Sequence, residues 1–148
     1  MEQILKIMRV NKDAVVPKKA TTGSAGMDLC ACIKEEITLF PGSRAVIPTG
    51  IAIELQDHNC AGMIFARSGL SIKHGILLSN GVGVIDSDYR GEICIGLCNQ
   101  GTQPYTIQPG ERVAQLIVMP IIPVLVQESE NLSETGRADG GFGSTGTK

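Results

Sequence analysis

AVIPTGIAIEL, residues 45–55, is apolar almost from end to end, yet it is too short and too broken to read as a helix. Thr49 and Gly50 interrupt it just after Pro48, leaving two brief runs rich in Ile, Val and Ala. β-Branched residues favour strands, and glycine favours the turn between them. The same pattern recurs along the chain in ILKIMRV (4–10), AGMIFA (61–66), EICIGLCN (92–99) and RVAQLIVMPIIPVLV (112–126). Between these runs lie PGSR, QDHNCAG, NQGTQPY and QPGER, which are rich in the residues that turns require. No long stretch keeps a 3.6-residue period, so helix is confined to a turn or two around SGLSIKHG (68–75). Many short strands without helical spacers imply an all-β domain, an antiparallel sandwich or jelly-roll. Pro120 and Pro123 in the last run mark an edge or a crossing between chains, because proline cannot donate to a ladder.

Composition narrows the classes of function. At 148 residues the chain suits one domain; 43% of residues are apolar and 19% charged, the balance of a globular body. Aromatic residues are 3% of the chain and Trp is absent, so the core must be aliphatic. A net charge of -2 offers no basic face for nucleic acid, which argues against DNA or RNA but not against a single nucleotide. No apolar run reaches membrane-spanning length, and the first residues lack the pattern of a secretory signal, so neither membrane nor export is expected. The five cysteines include no CxxC pair, and only His58 and His74 could join them at a metal. They are expected to be buried thiols in a reducing compartment, cytoplasmic or nuclear.

From Gln127 the composition changes. Residues 127–148 hold five glycines and few apolar side chains (Leu132, Ala138 and Phe142). Such a segment cannot offset its ordering entropy by burial, so the chain divides into a β domain, 1–126, and a flexible glycine-rich arm, 127–148.

Five short stretches carry side chains that chemistry can use, and each also has an ordinary reading. GGFGSTG (140–146) has glycines that let backbone amides approach an anion, but Thr147 stands where a P-loop needs lysine, so that motif is excluded. ARSGLS (66–71) couples a fixed cation to a hydroxyl and a free amide, or is a plain arginine before a turn. AGMDLCA (25–31) places Asp28 in apolar surroundings, as a strand-start aspartate also would. GERVAQLI (110–117) is a turn and a strand with Gln115 as its one polar interruption. NGVGVIDSDYRGEI (80–93) reads as a hairpin, except that Asp86 follows Val84 and Ile85 on what should be a half-buried side.

Taken together and in order, these stretches resemble the five motifs of the homotrimeric dUTPases, from about Gly23 to Gly146. The resemblance implies hydrolysis of dUTP to dUMP and pyrophosphate by in-line attack of water on the α-phosphate, with Mg²⁺ held mainly by the substrate's phosphates. Asp86 is then the general base. Asp28 touches the shell of the metal through water, which suits an ion that keeps its hydration. Arg67, Ser68 and Gly69 hold phosphates with help from Gln115. Arg137 and the amides and hydroxyls of Gly143, Ser144 and Thr145 close over the γ-phosphate, and Phe142 stacks on uracil. Asn80 meets the edge of the base, the tight hairpin backbone, glycine-rich at Gly81 and Gly83, excludes a 5-methyl group, Gly83, Val84 and Ile85 contact the substrate, and Tyr89 excludes a 2′-hydroxyl. Asp88, Arg90 and Glu92 stabilise the hairpin or contact a neighbour. The resemblance also implies a homotrimer whose sites are shared between chains.

Two positions depart from the family's pattern: Ala138 stands where glycine usually follows the motif-five arginine, and Ala66 where proline is common before the motif-two arginine. Two other readings share parts of the pattern, a relative of the dCTP deaminases and a non-catalytic paralogue that binds a nucleotide or a protein.

Overall fold

The computed structural model describes residues 4–136, 138 and 139. Among them are eleven strands: β1 (Leu5–Arg9), β2 (Met27–Cys30), β3 (Ile37–Leu39), β4 (Arg44–Pro48), β5 (Ile51–Leu55), β6 (Cys60–Phe65), β7 (Ile76–Leu78), β8 (Gly83–Ile85), β9 (Cys94–Asn99), β10 (Tyr105–Ile107) and β11 (Arg112–Pro120). The single helix, α1 (Ser68–His74), covers the stretch expected to be helical. The all-β expectation therefore holds.

Every ladder is antiparallel. Four small sheets result, ordered β1-β5, β10-β3, β2-β11-β6-β8 and β4-β9-β7. They bury one core between them: Leu29, Leu39, Ile51, Ile95, Ile107 and Leu116 come from different strands, and none is more than 2% exposed. Aliphatic side chains of this shape suit pleated surfaces and pack without polar atoms.

The stretch 45–55 does not fold back on itself. β4 pairs with β9 and β5 with β1, so Thr49 and Gly50 form a corner between two sheets. Gly50 has φ +70, and a Cβ there would lie 2.7 Å from both Ala14 Cβ and Cys32 Sγ. Glycine is required on both counts. The corner is tied to the segment that follows β8: the Thr49 hydroxyl donates to Ile93 O at 2.6 Å, and the Gly50 amide donates to Glu92 Oε1 at 2.7 Å.

The last apolar run differs from its expected extent. β11 stops at Pro120, where only β6 still pairs with it, and residues 121–126 lie outside any strand. Ile122, Val124, Leu125 and Val126 are 85%, 76%, 100% and 96% exposed. The cysteines also differ in part. No two are joined; Cys30, Cys60 and Cys98 are buried and Cys32 is partly so, but Cys94 is exposed. Cys94 pairs with Pro48 on one side, while on the other side β7 reaches only to Leu97.

Candidate active site

Asp28 is the meeting point of three of the motifs. Its Oδ1 lies 2.9 Å from Arg67 Nε and its Oδ2 3.1 Å from Arg112 Nη1. Arg67 also donates through Nη1 to Arg112 O at 3.0 Å. The strand register explains the convergence. Asp28 on β2 stands opposite Gln115 on β11, and Arg112 stands opposite Cys30, because the ladder shifts by one residue between Arg112 and Ala114. On a regular strand residues 112 and 115 face opposite ways. The bulge turns both towards Asp28. Gln115 Nε2 donates to Ala66 O at 2.9 Å, which ties β11 to the residue preceding Arg67.

Arg67 caps α1 with extended backbone, φ -94 and ψ 130. Ser68 and Gly69 follow in the first turn, where helical amides have no partner of their own. The structure therefore brings Asp28, Arg67, Ser68, Gly69 and Gln115 to one place, and adds Arg112, which sequence reasoning left inside a turn. The available signal was a charge directly before the apolar pair Val113 and Ala114. Two guanidinium groups around one partly shielded carboxylate make a cationic cradle, suited to oxyanions. Cys30 lies on the same face, in surroundings that do not favour a thiolate. Burial, and then Asp28, push its thiol above the ordinary range, against the pull of Arg112 and Arg67.

The 80–93 segment builds a second surface. A turn at Gly81, with its amide donating to Leu78 O at 3.1 Å, leads into β8, which pairs with β6 as an edge strand. Asn80, Gly83, Val84, Ile85 and Cys94 border a hollow of about 170 Å³. Val84, Ile85 and Cys94 also wall a neighbouring one of about 250 Å³ that holds Asp86, Tyr89 and Glu92. The two hollows lie along one segment, a slot of mixed polarity beside a carboxylate and a ring; the expected hairpin is not formed, because β8 pairs with β6 and β9 with β4 and β7. A hollow of about 360 Å³ at the end of α1, lined by His74, Thr102 and Tyr105, contains none of the residues expected to act.

Asp86 is exposed, whereas the sequence placed it on a half-buried side. The reason is that β8 is an edge strand, so water reaches its end freely. Tyr89 is 44% exposed, its amide donating to Asp86 O at 3.1 Å and its hydroxyl to Glu92 O at 3.0 Å.

Asp28 and Asp86 belong to opposite sides of one sheet. β2 and β8 are opposite edges of the same sheet, three strand spacings or roughly 14 Å apart. Arg137, Phe142, Gly143, Ser144 and Thr145 lie outside the described residues. Ala138 is described, and it adopts φ +46, the left-handed conformation that glycine favours at this position. Among the described residues no group of three or more His, Cys, Asp or Glu could hold a metal ion.

Known proteins match nearly the whole chain. A family model described as dUTPase matches residues 12–146. The deoxyuridine 5'-triphosphate nucleotidohydrolase of Alcanivorax borkumensis is 49% identical over 138 residues, covering 93% of this chain and 92% of that one. The enzyme of the same name from Desulfitobacterium hafniense is 49% identical over 144 residues, covering 96% and 95%. Among solved structures, the dUTPase of Staphylococcus bacteriophage 80alpha with dUPNHPP superposes with a TM-score of 0.87 at 27% identity, covering 97% and 98%.

Proposed function

The chain belongs to the dUTPase family and hydrolyses dUTP to dUMP and pyrophosphate, and from that premise we propose that Asp86 is its general base and that the Asp28–Arg67–Arg112 cluster is its phosphate cradle. One observation carries this reading: a single carboxylate gathers two guanidinium groups at the bulge in β11, with Ser68 and Gly69 beside them. A triphosphate carries the charge that such a cluster complements. Asp86, exposed at the end of β8, can accept a proton from water without first being uncovered. Asn80 and the backbone of Gly83, Val84 and Ile85 border a slot of about 170 Å³ for the pyrimidine edge. Tyr89 stands next to Asp86, where a deoxyribose follows the base.

The residues fit Mg²⁺ in the way the chemistry of the donors allows. With no protein cluster of three ligands among the described residues, a hydrated ion bound mainly through substrate oxygens suits the site, and Asp28 is the carboxylate that would accept from its water. When bound, Mg²⁺ supplies neutralisation of the charge on the phosphates. Residues 127–148 act as the arm that closes over the substrate, with Arg137, Phe142, Gly143, Ser144 and Thr145 as its contacts.

The working form is a homotrimer in which Asp86 of one copy faces the cradle of another. Two observations support this: the two surfaces stand on opposite edges of one sheet, and the apolar residues from Ile121 to Val126 are exposed on a single copy. Five thiols without a disulfide suit a reducing compartment, cytoplasmic or nuclear, and no described helix is long and apolar enough to cross a membrane.

The test is pyrophosphate release with Mg²⁺ from dUTP, dTTP, dCTP and UTP offered separately, with Asp86→Asn alongside. Turnover of dUTP, lowered by a factor on the order of a thousand in the variant, is expected for loss of the base. Undiminished turnover by the variant would remove Asp86 from that role. Ammonia from dCTP would move the chain to the deaminase relatives.

A further inference from the structure

The turn that carries Asp86 and Tyr89 is held from outside the site by Arg90. A single nitrogen, Nη1, donates to Ser87 O at 2.7 Å and to Tyr89 O at 3.0 Å. Those carbonyls lie on either side of the Tyr89 amide, which closes the turn on Asp86 O at 3.1 Å. Arg90 therefore fixes the backbone between the two functional side chains and reaches neither of them.

Arg90 also borders the neighbouring ribbon. Arg90 lines a hollow of about 320 Å³ together with Lys6 and Ile7 of β1 and Ala52, Ile53 and Glu54 of β5. The Glu54 carboxyl is held below its usual range by the hydrogen bond from Lys6, then by the charge of Lys6, with a contribution from Arg90. Arg90 thus stands at the hollow between the β1–β5 ribbon and the turn.

Tyr89 is held at two further points. Its hydroxyl donates to Glu92 O at 3.0 Å, and Glu92 accepts the Gly50 amide at 2.7 Å. A Cβ on Gly91 would run into the Tyr89 hydroxyl and come within 3.0 Å of Cε2, so the ring lies against the backbone at residue 91. Ser87 Oγ and His58 Nδ1 lie 3.2 Å apart and hold the turn on its far side.

We propose that Arg90 is a positioning residue for dUTP hydrolysis, clamping the Ser87 and Tyr89 carbonyls so that the Asp86 carboxylate and the Tyr89 ring keep one relative geometry. This rests on the roles proposed above for Asp86 and Tyr89. Loosening the clamp displaces the base from its water and opens space beside the sugar, so rate and sugar selectivity change together. A residue that only added stability would move the melting temperature and leave the UTP-to-dUTP ratio alone.

The experiment measures kcat and KM for dUTP and UTP, and the melting temperature, for wild type, Arg90→Met and Arg90→Lys, with rates taken well below every melting temperature. Arg90→Met is expected to lower kcat for dUTP on the order of tenfold to a hundredfold, with a smaller change in KM, and to raise the relative kcat/KM for UTP. Arg90→Lys, whose ammonium reaches a carbonyl, is expected to recover most of both losses. If Arg90→Met does not fold, Arg90→Lys carries the test through its UTP-to-dUTP ratio, expected to lie above that of wild type. Wild-type kcat and selectivity in a folded Arg90→Met or Arg90→Lys would overturn the proposal while leaving the reaction in place. A wild type that does not turn over dUTP would instead overturn the reading on which it rests.

Discussion

Asp28 gathers side chains separated by as many as 84 residues of sequence, and its effect on the protein should be divided unequally between stability and function. Its side chain and that of Arg67 are each 27% exposed and that of Arg112 is 58% exposed, so the ion pairs are screened and worth about 1 kcal/mol or less each. Asp28→Asn is therefore expected to shift the melting temperature by only a few degrees while lowering kcat/KM for dUTP by about tenfold or more, since two arginines then repel in an unsupported cradle. Steady-state kinetics and calorimetry on the same preparation check both halves. Tyr105 gives the opposite case, a residue whose effect falls on stability. Burial first, then the hydrogen bond to Glu111 and the charge of Glu111, push its phenol up to about 12, with Arg67 pulling the other way. A raised folded-state value means stability that is present below the unfolded value near 10 and is lost as pH rises towards 12. Urea unfolding at pH 9 and pH 11 should show wild type losing more stability between the two than Tyr105→Phe does. Equal losses would contradict that assignment. At this scale the sequence was informative where the candidate side chains stood in a recognisable motif, as Asp28, Arg67 and Asp86 do, and the structure brings Asp28 and Arg67 into contact. Arg112 was hidden because its direction depends on a bulge, and alternation read from the sequence points it to the wrong face.

Among the elements, short apolar runs and turn residues located most strands and the one helix, because both signals are local. The partners of those strands were not legible. Residues 45–55 form a corner between sheets where a hairpin is equally compatible with the pattern, and it is the pairing of β4 with β9 and of β5 with β1 that distinguishes the two. The end of β11 was overrun for a similar reason: residues 121–126 have strand composition but find no strand to pair with in the described chain. The join between β9 and β10 depends on a polar residue in the core. Asn99, 0% exposed, donates to Leu39 O and Gln103 O, each at 2.8 Å, and accepts the Gly101 amide at 2.8 Å. Asn99→Leu keeps the volume and removes all three bonds, so a loss of about 2–4 kcal/mol is expected from buried backbone groups left unpaired. Chemical denaturation with an unchanged slope checks it. A neutral result would show that those carbonyls and that amide find other partners.

For the whole molecule, the arrangement of the sheets matters more than any single motif. Four small sheets packed on one aliphatic core place Asp28 on one edge strand of a sheet and Asp86 just after the opposite edge strand. That separation is a property of topology, and no reading of residue types would have found it; the resemblance to a family of shared-site trimers supplied the expectation. The proposed trimer would also give the exposed apolar residues after Pro120 a use, as surface for another copy to cover. The measurement that bears on this is complementation. Asp86→Asn and Arg67→Gln, each expected to be nearly inactive alone, are unfolded together in equal amounts, refolded, and assayed for dUTP turnover. If each site joins Asp86 of one copy to Arg67 of another, random assembly restores intact sites to about a quarter of the total, and the activity follows. Mixed assemblies that remain as inactive as the separate variants would place both residues in the same copy and contradict the shared site.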